Sequence, residues 1–362
     1  MLKPVSKATT FTPERAPALA AFLARVWEAR SVSIHSTCLL SGGAVQENWC
    51  LDLEVAGGPR AGTFQVVLRT DAASRISLSL GRRAEFEVLA AAHRSGVRVA
   101  EPLADCDDAT LIGQPFSIQA FIGGSADARS LVRRGDLATV GPDIARELGR
   151  QLALIHAMGP SKPGLDALSH ASILGAPPDA GTAPARREVE RLRRLMDGAG
   201  EPRPALEYIL CWLDARAPVS REVTLVHGDF RTGNYLVEGS SVTAVLDWEF
   251  AHWGDPVEDI GWFCARSWRF GNDDLEAGGI ATRAPFRAGY ETVRPLPDDD
   301  AAVDYWEIMA AAKWAAVAVA QGDRYRKGGE ESLELALTGL MAPQMELDAL
   351  LAIERFGRGD RL

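Results

Sequence analysis

The sequence predicts an α+β protein of two lobes, in which a mostly β first third precedes a mostly α remainder. Three observations carry this reading. Short strand-like runs separated by glycine-containing turns crowd the chain before residue 121. "GGS" at 123–125 breaks that pattern. Beyond the break, apolar residues recur mainly at helical spacing. At 362 residues the chain is long enough to bury a large core and form two domains, expected here as 1–121 and 122–362.

The elements follow in order. Leu19, Phe22, Leu23 and Val26 lie at helical spacing in a segment from Phe11 to Arg30, with Pro13 near its start. "STCLLSGG", "NWCLDLEV" and "TFQVVLRT" read as an antiparallel meander. "LGRRAEFEVLAAAHRSG" is a helix, its Phe86, Leu89 and Ala90 periodic and Gly96 its stop. "RVAEPLADC" and "PFSIQAFI" add two strands. In the second lobe "IARELGRQLALIHAM" is a strongly periodic helix. A Pro/Gly/Ala-rich loop runs from Gly159 to Pro184, followed by helical patterns over 185–195 and 205–215. Three short strands come next, "TLVHG", "NYLV" and "TAVLDW", and helix fills the chain from Val257 onward.

Composition narrows the partners. With 47% hydrophobic and 24% charged residues, the chain reads as an ordinary globular protein. A net charge of -10 repels nucleic acid and anionic membranes, so neither is expected as a partner. The five cysteines are scattered, with no C-x-x-C pair to suggest zinc or a disulfide framework. "MLKPVSKATTFTPE" lacks the apolar core of a signal peptide. The longest apolar stretch, "AAAKWAAVAVA", is too short to span a bilayer and contains Lys313. A cytoplasmic location is the resulting expectation, and oligomeric state is not encoded readably.

Chemistry concentrates in "LVHGDFRTGNYLV" at 225–237. Asp229 and Asn234 flank a tight turn, and another apolar run, "TAVLDWEF", brings Asp247 to a strand end. Two adjacent short strands can carry Asn234 and Asp247 to one place. Two oxygen ligands, completed by phosphate oxygens and waters, suit Mg²⁺. Asp229 then serves as acceptor for a substrate hydroxyl, which is the set that phosphoryl transfer from a nucleotide needs. Other chemistries lack their strings: no G-x-x-x-x-G-K-[ST], no G-x-S-x-G, no H-E-x-x-H.

"HGDFRTGN" followed by "VLDWE" resembles the aminoglycoside phosphotransferase-like kinases, whose fold resembles that of protein kinases. Other segments match in the family's order, over roughly residues 35–265. The resemblance implies a bilobal kinase-like fold, with an antiparallel sheet plus one helix in the small lobe and a larger helical lobe. It implies a phosphotransferase that moves the γ-phosphoryl group of ATP or GTP, with Mg²⁺, to an alcohol of a small molecule. It makes Asp229 the catalytic acceptor and Asn234 and Asp247 the metal ligands. "LLSGGAVQEN" then places Gly42 and Gly43 over the phosphates, where their backbone N–H groups would face the anion. "VVLRT" supplies Arg69 in place of the lysine that most aminoglycoside kinases use. "RRAEFEVLAAA" supplies its acidic partner as Glu85, with Glu87 the competing choice on another face. "PFSIQAFIGG", with Gln119 and Phe121, is similar to the hinge that holds adenine through backbone groups. His227, Asp255 and Asp259 are expected to hold loop geometry. The nearest subgroup by this likeness is the kinase-like domains associated with acyl-CoA dehydrogenases. An aminoglycoside-like or a hydroxyacyl-CoA-like acceptor both stay open. So does a nucleotide-binding regulator without transfer activity, although the intact trio argues against it. The run Arg186, Arg187, Arg191, Arg193 and Arg194 reads as a solvated helix face, or as a surface for an anionic substrate.

Overall fold

The computed structural model describes residues 11–40, 48–70, 78–297, 300–327 and 332–359. It divides into two compact units: Met1–Arg75 with Gly81–Ala90 and Ala100–Ile122, and Ile76–Leu80 with Ala91–Val99 and Gly123–Leu362.

The first unit is built on a sheet. Helix α1 (Ala16–Val26) precedes β1 (Ser31–Leu39), β2 (Asn48–Ala56) and β3 (Gly62–Thr70). Helix α2 (Arg82–Arg94) begins here, followed by β4 (Pro102–Cys106) and β5 (Phe116–Ala120). The strands pair antiparallel in the order β1-β2-β3-β5-β4. Alternation decides which face is buried: Leu51, Leu53 and Val55 of β2 point inward with Val66 and Leu68 of β3. They pack with Phe116 and Ile118 of β5 and with Leu19, Phe22 and Leu23 of α1. Leu19 and Leu23, one turn apart and fully buried, each contribute about 1.5–3 kcal/mol by leaving water. Helix α1 is shorter than the segment predicted for it.

The second unit is mostly helical. It contains α3 (Ala128–Val132), α4 (Leu137–His156), α5 (Ala183–Ala199) and α6 (Pro204–Ala215). Short strands follow: β6 (Thr224–Val226), β7 (Tyr235–Glu238), β8 (Ser241–Val245) and β9 (His252–Gly254). Then come α7 (Pro256–Cys264), α8 (Arg283–Tyr290), α9 (Asp300–Arg326), α10 (Leu333–Gly339) and α11 (Ala342–Arg358). Helix α9 is the central one, packing against α5, α6, α7, α10 and α11. Two small antiparallel pairs lie among these helices, β6 with β9 and β7 with β8.

Several further details differ from the sequence reading: β1 begins at Ser31 rather than Ser36, and β4 at Pro102 rather than Arg98. Strand β8 stops at Val245, short of Asp247, because Asp247 takes a left-handed backbone (φ 64°) that no strand accommodates. Strand β9 was not foreseen, since three residues are too few to show a period. No described helix is long and apolar enough to cross a membrane.

Candidate active site

The segment between β6 and β7 is a loop held from several sides. Gly228 has φ +77°, and a Cβ there would lie 2.3 Å from the Phe250 carbonyl oxygen, so only glycine fits. Asp259 of α7, fully buried, accepts the N–H of His227 at 2.6 Å and of Gly228 at 2.8 Å. Its carboxylate also meets His156 Nε2 at 3.1 Å, and His156 Nδ1 meets the Tyr290 hydroxyl at 2.9 Å. Burial works against the charge on Asp259, but these donors hold its pKa below the ordinary carboxylate value. Burial lowers the pKa of His156, which as a neutral ring donates from Nε2 and accepts from Tyr290.

His227 forms a second tie. Its Nδ1 accepts the N–H of Asp229 at 3.2 Å, so Nε2 carries the proton and donates to the Leu246 carbonyl at 2.9 Å. Burial pushes the pKa of this imidazole down, which favours that neutral form. One ring thus joins the residue at 229 to the residue before Asp247.

Asp229 lies in this frame, 7% exposed. Trp262 Nε1 donates to its Oδ1 at 2.8 Å, and Arg231 Nε bridges both oxygens at 3.1 and 3.2 Å. The Arg231 guanidinium sits over the Trp268 ring, 4.5 Å from its centroid. Asn234 Nδ2 donates to the main-chain carbonyl of Asp229 at 2.9 Å and to its Oδ2 at 2.5 Å. Because both contacts are oxygens, that end of the amide is nitrogen, and Asn234 Oδ1 is the end left for a cation.

The hairpin of β7 and β8 sets where Asp247 falls. Tyr235 pairs with Val245, and one further rung joins the Leu246 N–H to the Asn234 carbonyl at 2.8 Å. Asp247 is therefore the next residue after Asn234's rung partner, half-buried and held in left-handed backbone. Such strain costs roughly 1–3 kcal/mol and clusters at functional sites. A carboxylate and an amide oxygen at one hairpin end fit a hard divalent cation.

The remaining predicted positions lie in the first unit. Arg69 of β3 donates to Glu85 of α2 at 2.8 Å, both largely buried, while Glu87 is half-buried. Gln119 is buried in β5 between Val67 and Pro102. Phe121 is 38% exposed, and its N–H is committed to the Gln65 carbonyl at 3.1 Å, so that amide is not available to a base. Gly42 and Gly43 lie outside the described residues.

Sequence reasoning missed Arg231, Trp262 and Lys313. Trp262 carried a faint signal, an aromatic in "GDPVEDIGW" one helical turn after Glu258 and Asp259. Lys313 carried a stronger one, a charge inside an apolar run. Its ammonium donates to the Gly228 carbonyl at 2.9 Å and to Glu258 at 3.2 Å. Glu188, His252 and Glu258 place ligand atoms within 4.8 Å of one another, as a metal site would. The Lys313 ammonium already supplies the cation there, 3.2 Å from Glu258 and 3.7 Å from Glu188.

The five arginines of α5 have partners within the chain. Arg186 faces Asp214 at 3.8 Å, Arg187 the Ala176 carbonyl, Arg191 Glu188, Arg193 Glu207 and Arg194 the Glu190 carbonyl. Arg186, Arg187, Arg193 and Arg194 thus form an internally paired, partly exposed face, while Arg191 pairs with the buried Glu188.

Known proteins resemble this chain in sequence and fold. A family model described as "Phosphotransferase enzyme family" matches residues 39–296. Acyl-CoA dehydrogenase family member 10 of Mus musculus is 26% identical over 254 residues, covering 66% of this chain and 22% of that protein. The chain thus spans about a fifth of that relative. Among solved structures, an assigned aminoglycoside phosphotransferase of Ralstonia eutropha JMP134 is 24% identical, with TM-score 0.69 over 95% of this chain and 99% of that one. The aminoglycoside phosphotransferase APH(4)-Ia, in a ternary complex with AMP-PNP and hygromycin B, is 15% identical, with TM-score 0.55 over 94% and 98%. At these identities the structural likeness is one of fold, the kinase-like α+β fold of such phosphotransferases.

Proposed function

The chain belongs to the phosphotransferase enzyme family, and from that membership we propose that it is a Mg²⁺-dependent kinase that moves the γ-phosphoryl group of ATP or GTP to a hydroxyl of a small molecule. One observation carries the proposal: a buried Asp229 is fixed by Asn234, and Asp247 directly follows the rung partner of Asn234 at the same hairpin end. Asp229 orients the acceptor hydroxyl and takes its proton as the phosphoryl group arrives. Arg231, Trp262 and Asn234 fix its carboxylate so that little reorganisation is needed during transfer. Asn234 and Asp247 would hold Mg²⁺, which when bound neutralises phosphate charge. Arg69, braced by Glu85, would contact nucleotide phosphate, with Gly42 and Gly43 as further backbone donors.

Two neighbours support parts of this reading. AMP-PNP in the APH(4)-Ia complex favours an adenine nucleotide, and hygromycin B there favours an aminoglycoside-like acceptor. The mouse relative's name favours a hydroxyacyl-CoA-like acceptor instead. The test is nucleotide consumption with a panel of alcohols from both classes. Asp229→Asn should lower turnover by roughly 10²–10⁴-fold while nucleotide still binds. Unchanged turnover in that variant would remove Asp229 from the reaction. No consumption with any acceptor by the unmodified chain would remove the reaction.

A further inference from the structure

Lys313 is a buried cation to which the proposed phosphotransfer assigns no part. It is 4% exposed in α9, among the fully buried Ala312, Ala315 and Ala316. An ammonium taken out of water is costly unless charged and hydrogen-bonding partners surround it. Here Glu258 and Glu188 do, and they lift the Lys313 pKa above its ordinary value although burial works the other way. Glu258 in turn meets His252 at 3.1 Å, and Glu188 meets Arg191 at 3.0 Å.

Two further contacts of the ammonium are not about charge balance. It donates to the carbonyl of Gly228, the residue immediately before Asp229, at 2.9 Å. It also sits over the Trp262 ring, 5.0 Å from the centroid, and Trp262 Nε1 is the donor to Asp229 Oδ1. Asp229 is thus approached twice from one cation, through its main chain and through the indole that holds its carboxylate. Loss of the ammonium would leave the Gly228 carbonyl and a Glu258 oxygen without this donor, and buried Glu188 without one of its nearby positive charges.

We infer that Lys313 is a positioning residue for Asp229, acting through the Gly228 carbonyl and the Trp262 indole. The kinetic part of this inference rests on the phosphotransfer reading, and the spectroscopic part does not. The carboxylates that neutralise the ammonium keep it in place, and removal of Glu258's charge together with Lys313's separates positioning from charge balance.

The test follows the Trp262 indole N–H resonance in ¹⁵N-labelled protein, assigned with Trp262→Phe, alongside kcat and nucleotide Kd. Two variants are compared with the unmodified chain: Lys313→Met/Glu258→Gln, which leaves no unpaired buried charge between the two positions, and Lys313→Arg, which keeps the charge but moves the donors. In the double variant the resonance should move, and kcat should fall roughly 10²-fold with nucleotide Kd unchanged. Lys313→Arg should show both effects, but smaller. A resonance that stays at its original position in either folded variant overturns the inference. So does a double variant with unaltered kcat, since charge balance alone would then account for the lysine. If the unmodified chain turns over no acceptor, the proposed reaction fails, and the resonance still decides the role of Lys313.

Discussion

Asp229 is a carboxylate crowded by donors, and that crowding defines its chemistry. Arg231, Asn234 and Trp262 all point N–H groups at it, and His227 accepts its own N–H. A group so fixed is suited to orienting a hydroxyl and stabilising its proton late in transfer, when the phosphoryl group has largely left the nucleotide. The placement of Asp229, Asn234 and Asp247 near one another could be read from the sequence because a turn and a hairpin, both local, set it. That of Trp262 and Lys313 could not, because they reach the same loop across sequence separations of 33 and 85 residues. Only tertiary packing sets those distances. At this scale Gly228 is the sharpest probe. Gly228→Ala should destabilise the protein by roughly 1–3 kcal/mol, from left-handed strain and the Phe250 clash, and lower turnover with it. Denaturant melts and initial rates measure both; a variant matching the original in each would show that the loop has another way to turn.

Among the elements, α7 does the most for the site. Asp255 caps its N-terminus by accepting the Val257 N–H at 2.9 Å. Three of its side chains then serve different partners: Glu258 faces Lys313, Asp259 holds the loop backbone and Trp262 reaches Asp229. Burial lifts the Asp255 carboxyl from its ordinary 3.8 to about 6. For a raised acid the native state holds the proton more tightly. Its contribution to stability is complete below about pH 3.8 and is lost as pH rises through about 6, on the order of 3 kcal/mol in all. Asp255→Asn keeps a good cap and removes the titration. Urea midpoints should therefore show the variant gaining on the original chain between pH 4.5 and pH 7.5. A constant gap between the two would mean that Asp255 does not titrate in this range. The sequence located α6, β2, β3 and β5 to within two residues or so at each end, and α5 to within four, but placed the start of β1 five residues late and that of β4 four residues early. It overran β8, where left-handed Asp247 ends the strand early, and missed three-residue β9.

At the scale of the whole molecule, the order of strands and helices was readable, and so was the family. The acceptor was not. Specificity depends on which side chains surround the acceptor, and neither a net charge of -10 nor the Arg-rich α5 encodes that. The α5 arginines, each with a partner inside the chain, weaken the idea that this helix awaits an anionic substrate. The reading of the whole depends on Asn234 and Asp247 holding one divalent ion against nucleotide phosphates. Electron paramagnetic resonance of Mn²⁺ with ADP measures this directly. The unmodified chain and Asp229→Asn should both bind the ion with nucleotide, and Asp247→Ala should bind it at least roughly 10²-fold more weakly. Equal Mn²⁺ affinity in Asp247→Ala and the unmodified chain would contradict the assignment.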